Sequence, residues 1–175
     1  RRGIENAIFF SSKVRGKWQP PVEITAEINA GTDCSSCSLN SDGTELFLYK
    51  TENYDGAIYS SKYLNGVWSQ IKKLNKNINT KFYETHASVS SDGKKLYFTS
   101  NREGGQGNLD IYVSEKDGTG DWGPAVNLGV AVNTPFNEDT PFITQNDSIL
   151  YFCSEGHSSM GGYDNFKSQK IGSVW

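Results

Sequence analysis

The chain reads as an all-β protein, and more narrowly as part of a β-propeller whose four-stranded blades run to about 50 residues. Three observations predict this. The four tryptophans stand at 18, 68, 122 and 175, so the intervals between them are 50, 54 and 53 residues. Turn-forming pairs recur at one fixed offset from those tryptophans, each followed by a similar apolar strand. No segment of a dozen residues sustains a 3.6-residue apolar period, because Gly and Ser interrupt every candidate helix. Four short strands at a period near 50 match a propeller blade rather than a helical repeat.

The positions after each tryptophan align without a gap. Ile24, Leu74 and Leu128 lie six residues on, Ile28, Ile78 and Val132 ten on, and Asn29, Asn79 and Asn133 eleven on. Asp42-Gly43, Asp92-Gly93 and Asn146-Asp147 each begin 24 residues past a tryptophan, and Leu46, Leu96 and Leu150 open a strand four residues later. Gly tolerates positive φ and Asp or Asn bonds its own turn, so these pairs predict tight turns between strands. In the most complete unit, strands are expected over about residues 87–90, 95–100, 109–115 and 122–128, with a glycine-rich loop at 101–108 joining the middle two. All length variation falls between the second strand and the next tryptophan, which places insertions in loops on one rim.

The units are therefore residues 1–33 (the end of one blade), 34–83 and 84–137 (two blades) and 138–175 (the start of a further blade). The chain begins without Met at an expected third strand, residues 7–13, and stops at Trp175 where a fourth would start. It is expected to be cut from something longer, with further sequence or a partner covering the open sheet faces. A hydrophobic share of 35% and an aromatic share of 13% suffice for a buried sheet core. A net charge of −3 with no basic cluster argues against nucleic acid or an anionic membrane as partner. No stretch is long and apolar enough for a transmembrane helix.

Three segments carry a family resemblance: SDGKKLYFTSNREGGQGNLDIYVS (91–114), WGPAVNLGVAVNTPFNEDTPF (122–142) and LYFCSEGHSSMGGYDNF (150–166). They resemble the WD40-like, TolB-related propeller repeats of Bacteroidota envelope proteins of the OmpA family. The resemblance implies a non-catalytic scaffold in the periplasm or at the outer membrane, docking protein partners in the envelope, some of them in secretion (type IX) or gliding machinery. Peptidoglycan would be reached only through an OmpA-like domain that this sequence does not contain. The second unit departs from the pattern, with Lys50-Thr51-Glu52-Asn53-Tyr54 in place of the Asn-Arg-x-Gly-Gly stretch.

In a propeller the loops entering each blade share a face with the loops between its second and third strands, and ligands usually meet that face. Candidate binding residues there are Asn79, Phe82, Tyr83 and Glu84, the matching Asn133, Phe136, Glu138 and Asp139, and Asn101, Arg102 and His157. Asn-Thr-x-Phe-x-Glu, at 79–84 and 133–138, is the sharpest internal identity. One reading makes Asn a turn cap and Phe a spacer between blades; the other makes the set a surface for a protein segment or a glycan.

No catalytic residue, metal site or cofactor is assigned. Asp42, Asp92, Asp110 and Asp164 recur by position, which suits turns better than an active site made once. The alternative is a glycan-binding module or a glycoside hydrolase, in which Glu138 and Asp139 would supply the two carboxylates. No EF-hand run supports calcium. Cys34 and Cys37 have C-x-x-C spacing without the helix of a redox site or a second ligand pair for zinc, so with Cys153 they read as structural thiols. Export, as the resemblance implies, would permit a Cys34–Cys37 disulfide, although the geometry across two strand residues is unfavourable. His86 and His157 lack any nucleophile elbow.

Overall fold

The computed structural model describes residues 6–31, 33–52 and 55–175. Asn53 and Tyr54 of the divergent second-unit stretch lie outside the described residues. Among these residues every regular element is a strand, and the strands form four successive antiparallel groups. In the first, β1 (Phe9–Phe10) pairs with β4 (Val22–Glu23), and β2 (Lys13–Val14) pairs with β3 (Lys17–Trp18). The second runs β5 (Cys34–Leu39), β6 (Glu45–Glu52), β7 (Asp55–Leu64), with the short β8 (Val67–Trp68) and β9 (Lys72–Lys73) both on the far edge of β7. The third is β10 (Glu84–Val89), β11 (Lys95–Ser100), β12 (Asp110–Glu115) and β13 (Val126–Asn127); the fourth is β14 (Glu138–Ile143), β15 (Ile149–Ser154) and β16 (Asp164–Gln169). Strands that neighbour one another in chain order, all antiparallel, are what a propeller blade requires.

The first strand of the third blade starts at Glu84, earlier than the turn spacing suggests. A β-bulge explains it: the register slips between Thr85 and Ala87, so His86 is accommodated without breaking the pairing of Glu84 with Ser100. The expected turns are present. Gly43, Gly93 and Asp147 sit at positive φ (74°, 70° and 52°), and their amides donate to the carbonyls of Asn40, Ser90 and Thr144. Asp147 thus takes the left-handed position that glycine takes in the other two blades.

Alternation along the second strand of each blade builds the core. Leu46 and Leu48 face the first blade with Trp68, against Ile8, Ile24 and Ile28; Phe47, between them, faces the third blade and meets the edge of Trp122 at 6.2 Å. Leu96 and Phe98 then face back while Tyr97 faces forward, edge-on to Trp175 at 6.0 Å. Trp68, Trp122 and Trp175 therefore each pack against the blade before their own. Trp68 and Trp122 are 4% exposed, whereas Trp18 is 70% exposed. At the other end, Tyr151 is 45% exposed although Phe47 and Tyr97 at the same position are fully buried by a following blade.

The cysteines are free thiols. Cys34 is buried in the cluster between blades one and two, and Cys37 packs into the next cluster, so the two side chains leave opposite faces of β5. Burial pushes their thiols up to about 11 and about 12.

The repeated asparagines clamp one strand to the loop that follows it. Asn79 accepts from the Ile58 amide at 2.7 Å and donates to the Ile58 carbonyl at 2.8 Å; Asn133 does the same to Ile111 at 2.8 and 2.9 Å. Asn29 is exposed, at φ 56°. Removing a clamp leaves a buried amide and carbonyl unsatisfied, at about 1–3 kcal/mol for each group. Asn79→Ala and Asn133→Ala are each predicted to lower the unfolding free energy in urea by about 2–4 kcal/mol, and Asn29→Ala by less than about 1 kcal/mol.

Candidate functional site

The loops entering the third and fourth blades fold alike because each closes on a buried carboxylate. Glu84 and Glu138 are fully buried. The Thr80 amide donates to Glu84 at 2.9 Å and its hydroxyl at 2.7 Å; Thr134 gives Glu138 the same pair at 2.7 and 2.6 Å. The Phe82 and Phe136 amides donate to those hydroxyls at 3.1 and 3.2 Å. Ser100 and Ser154, at the ends of the second strands, complete the knots at 2.9 and 2.6 Å. The repeated Glu thus holds a loop and does not meet solvent.

Above each knot lies a polar group held between two rings. The Arg102 guanidinium is 5.0 Å from both Phe98 and Tyr112, reaches Glu84 at 3.3 Å, and donates to the Asn77 and Ile78 carbonyls at 3.1 and 2.6 Å. In the next blade His157 lies 5.7 Å from Phe152 and 5.4 Å from Phe166, the counterparts of those rings, and Nε2 is 2.7 Å from the carbonyl of Val132, the counterpart of Ile78. A carbonyl only accepts, so Nε2 carries the proton. No cation stands beside Glu138 among the described residues; Thr134 and Ser154 alone hold it. Fixed-offset alignment sets Arg102 against Gly156, which hides the equivalence of Arg102 with His157.

The recurrent aspartates close the adjoining loops. Asp110 accepts from the Gln106 and Gly107 amides at 3.0 and 3.1 Å, and Asp164 from the Met160 amide at 2.7 Å. The first of these loops then presses against the next blade's entry loop: a Cβ on Gly107 would lie 1.8 Å from the Phe136 carbonyl oxygen, so no side chain fits there.

What remains open on this face is a polar rim, including Lys81, Asn101 and Glu103, with one projecting aromatic side chain. Phe136 is 58% exposed and stands at the rim of a hollow of about 420 Å³ that Thr134, Glu155, His157 and Ser159 also line. Phe82 is half-buried beneath the Lys81 ammonium, which lies 4.9 Å from its ring. Tyr83 is half-buried, and its amide donates to the Asn101 side chain at 2.7 Å.

Asp139 belongs to a different place. It follows Glu138 on β14 and turns the other way, its carboxylate 2.9 Å from Nδ1 of His86 on the third blade. The His86 ring lies 5.1 Å from Tyr49 of the second blade, so side chains of three blades meet there. His86 is at the bulge with φ 40°, and Thr140 takes the same conformation at its own bulge, φ 50°. Sequence alone had no signal for this contact, because Ser36 and Thr140 stand where His86 does. Burial pushes the Asp139 carboxyl up, but the hydrogen bond and charge of His86 and the bond from the Thr140 amide outweigh it and hold the group below its ordinary range.

Taken together, the blades, their interdigitated faces and the loop knots define a β-propeller arc. No family model matches the chain, and no curated protein matches it. Its fold is similar to that of a TolB protein from Agrobacterium tumefaciens, at 17% identity and a TM-score of 0.58, over 92% of this chain and 61% of that one. It is also similar to TolB from Acinetobacter baumannii, at 16% identity and a TM-score of 0.57, over 89% of this chain and 34% of that one. The chain thus spans about three fifths of one neighbour and one third of the other, and the likeness is one of fold.

A carboxylate whose folded pKa is depressed stabilises the fold above its unfolded value, about 3.9, and that contribution is lost as pH falls through the folded value. Stability measured in urea from neutral pH downward should therefore fall below about pH 4. In Asp139→Asn the protein should start less stable at neutral pH and show a shallower acid limb; an unchanged limb would remove Asp139 from the account.

Proposed function

We propose that this arc is part of a non-catalytic propeller scaffold of the bacterial cell envelope, periplasmic or associated with the outer membrane, which docks protein partners through the loop face around Phe136. One observation carries the reading: Glu84, Arg102, Asp110, Glu138 and His157 of that face are tied into the fold, while an aromatic side chain is left projecting beside a hollow. A rigid blade array with an exposed aromatic anchor suits capture of a protein segment, since such anchors dominate binding energy at interfaces. The TolB-like fold and the three segments resembling OmpA-family envelope propellers support the envelope setting. Secretion or gliding machinery then supplies the class of partner, and peptidoglycan contact would need a domain beyond these residues.

The hydrolase alternative has less support. Two carboxylates must converge across a cleft about 5–10 Å wide, whereas Glu138 and Asp139 are neighbours on one strand and face opposite ways. Glu138 is moreover fully buried.

A photo-crosslinking residue at position 136 should capture a defined envelope protein, and Phe136→Ala should lower recovery of the native complex about tenfold or more. The same probe at Lys170 should capture none of it. Equal capture from both positions, or glycan cleavage abolished by Asp139→Asn, would contradict the scaffold reading.

A further inference from the structure

The opposite, outer side of the arc holds a feature that the loop-face reading does not use. A groove of about 450 Å³ runs between the second and third blades, lined by Lys62, Lys72, Lys73 and Lys116, with Glu45 and Asp121 as the acidic groups in its wall. It lies at the end of the blades away from Phe136, beside the turn at 117–121 that links β12 to Trp122.

The strand register explains why Lys62 and Lys72 meet. Ser60 pairs with Phe47 and with Lys72, while Lys62 pairs with Glu45. Phe47 faces the third blade, so by the two-residue alternation Glu45, Ser60, Lys62 and Lys72 all lie on that side of the sheet. Lys116 comes from the third blade and closes the groove, with its ammonium 3.7 Å from Glu45 and 4.8 Å from the Trp122 ring. Glu45 is thereby engaged with Lys116. Lys62, Lys72 and Lys73 are exposed and have no carboxylate partner among the described residues. In a chain of net charge −3, the ammonium groups of Lys62, Lys72 and Lys116 here face two carboxylates, one of them already paired with Lys116.

A concave site with an excess of one sign of charge concentrates the opposite sign. The positive charges are all ammonium groups, which act as mobile point charges and suit a phosphate's three-fold spread of oxygens without demanding the planar fork that arginine offers a carboxylate. Asn75 gives the wall rigidity, its amide donating to the Trp122 carbonyl at 2.7 Å. The volume is within the range of small-ligand sites, about 300–1,000 Å³. We propose that this groove is a binding site for phosphate groups, presented by a soluble polyphosphorylated ligand or by the headgroup of an anionic lipid.

The test is calorimetric titration of the whole chain with tripolyphosphate, beside co-sedimentation with phosphatidylglycerol vesicles and with zwitterionic vesicles as control. Saturable binding that weakens with salt is expected, together with a loss of about tenfold or more in the Lys62→Gln, Lys72→Gln double variant. Glu45→Gln, which removes a negative charge and frees Lys116, should tighten binding several-fold. Lys170→Gln, on the fourth blade, should leave it unchanged. Binding of tripolyphosphate with these responses identifies a soluble phosphate ligand, and binding of the anionic vesicles alone with the same responses identifies a lipid headgroup. Absence of both, equal weakening by Lys170→Gln, or no gain in Glu45→Gln would overturn the proposal. All four lysines and Glu45 are at or near the surface, and thermal unfolding of each variant confirms that the comparison is between folded proteins.

Discussion

The arc depends on a charge kept out of water. Glu84 begins the innermost strand of its blade, is fully buried, and is made tolerable by donors from three segments: Thr80 in the entry loop, Ser100 at the end of the second strand, and Arg102 beyond it. A buried carboxylate lacking such partners would cost several kcal/mol. Because Arg102 also holds the Asn77 and Ile78 carbonyls, one ion pair joins the entry loop to the inner strands. That geometry puts Phe82 and Phe136 where they are, since both amides bond to the threonines that cap the carboxylates.

The repeated blades preserve geometry while changing chemistry. His157 occupies the place of Arg102 between the same two ring positions and caps the same carbonyl, yet it gives Glu138 no cation. Asp147 accepts the left-handed φ that Gly93 accepts freely. In the second blade Ala57 stands where Asp110 and Asp164 close long loops, and there β6 and β7 pair out to Glu52 and Asp55, leaving no long loop to close. These are local solutions to one backbone problem, which is why recurrence here reports architecture more than function.

Most of the fold was legible in the sequence. Tryptophan spacing and the recurring turn pairs set the all-β propeller class and the turns, because those features follow from local chemistry and a period. The role of Asn79, Asn133, Glu84 and Glu138 was not, since identity between repeats cannot tell a solvent-facing side chain from one bonded to the backbone of a neighbouring strand. The bulge at His86 was invisible for a similar reason: an extra residue in a first strand leaves no mark on the alignment. Nor did the lysines reveal themselves. Residues 62, 72 and 116 are scattered along a chain of net negative charge, and only the register of β6, β7 and β9 and the approach of the third blade bring them to one groove.

The most direct measurement of whether the buried ion pair organises the arc is a double-mutant cycle on Glu84→Gln and Arg102→Met, read by urea unfolding. The account predicts strong coupling, about 1.5 kcal/mol or more, because each group is stranded without the other. The parallel cycle on Glu138→Gln and His157→Gln should show almost none. Additivity within about 0.5 kcal/mol at Glu84 and Arg102 would contradict the account, and would mean that the loops are held by the threonine and serine hydroxyls alone.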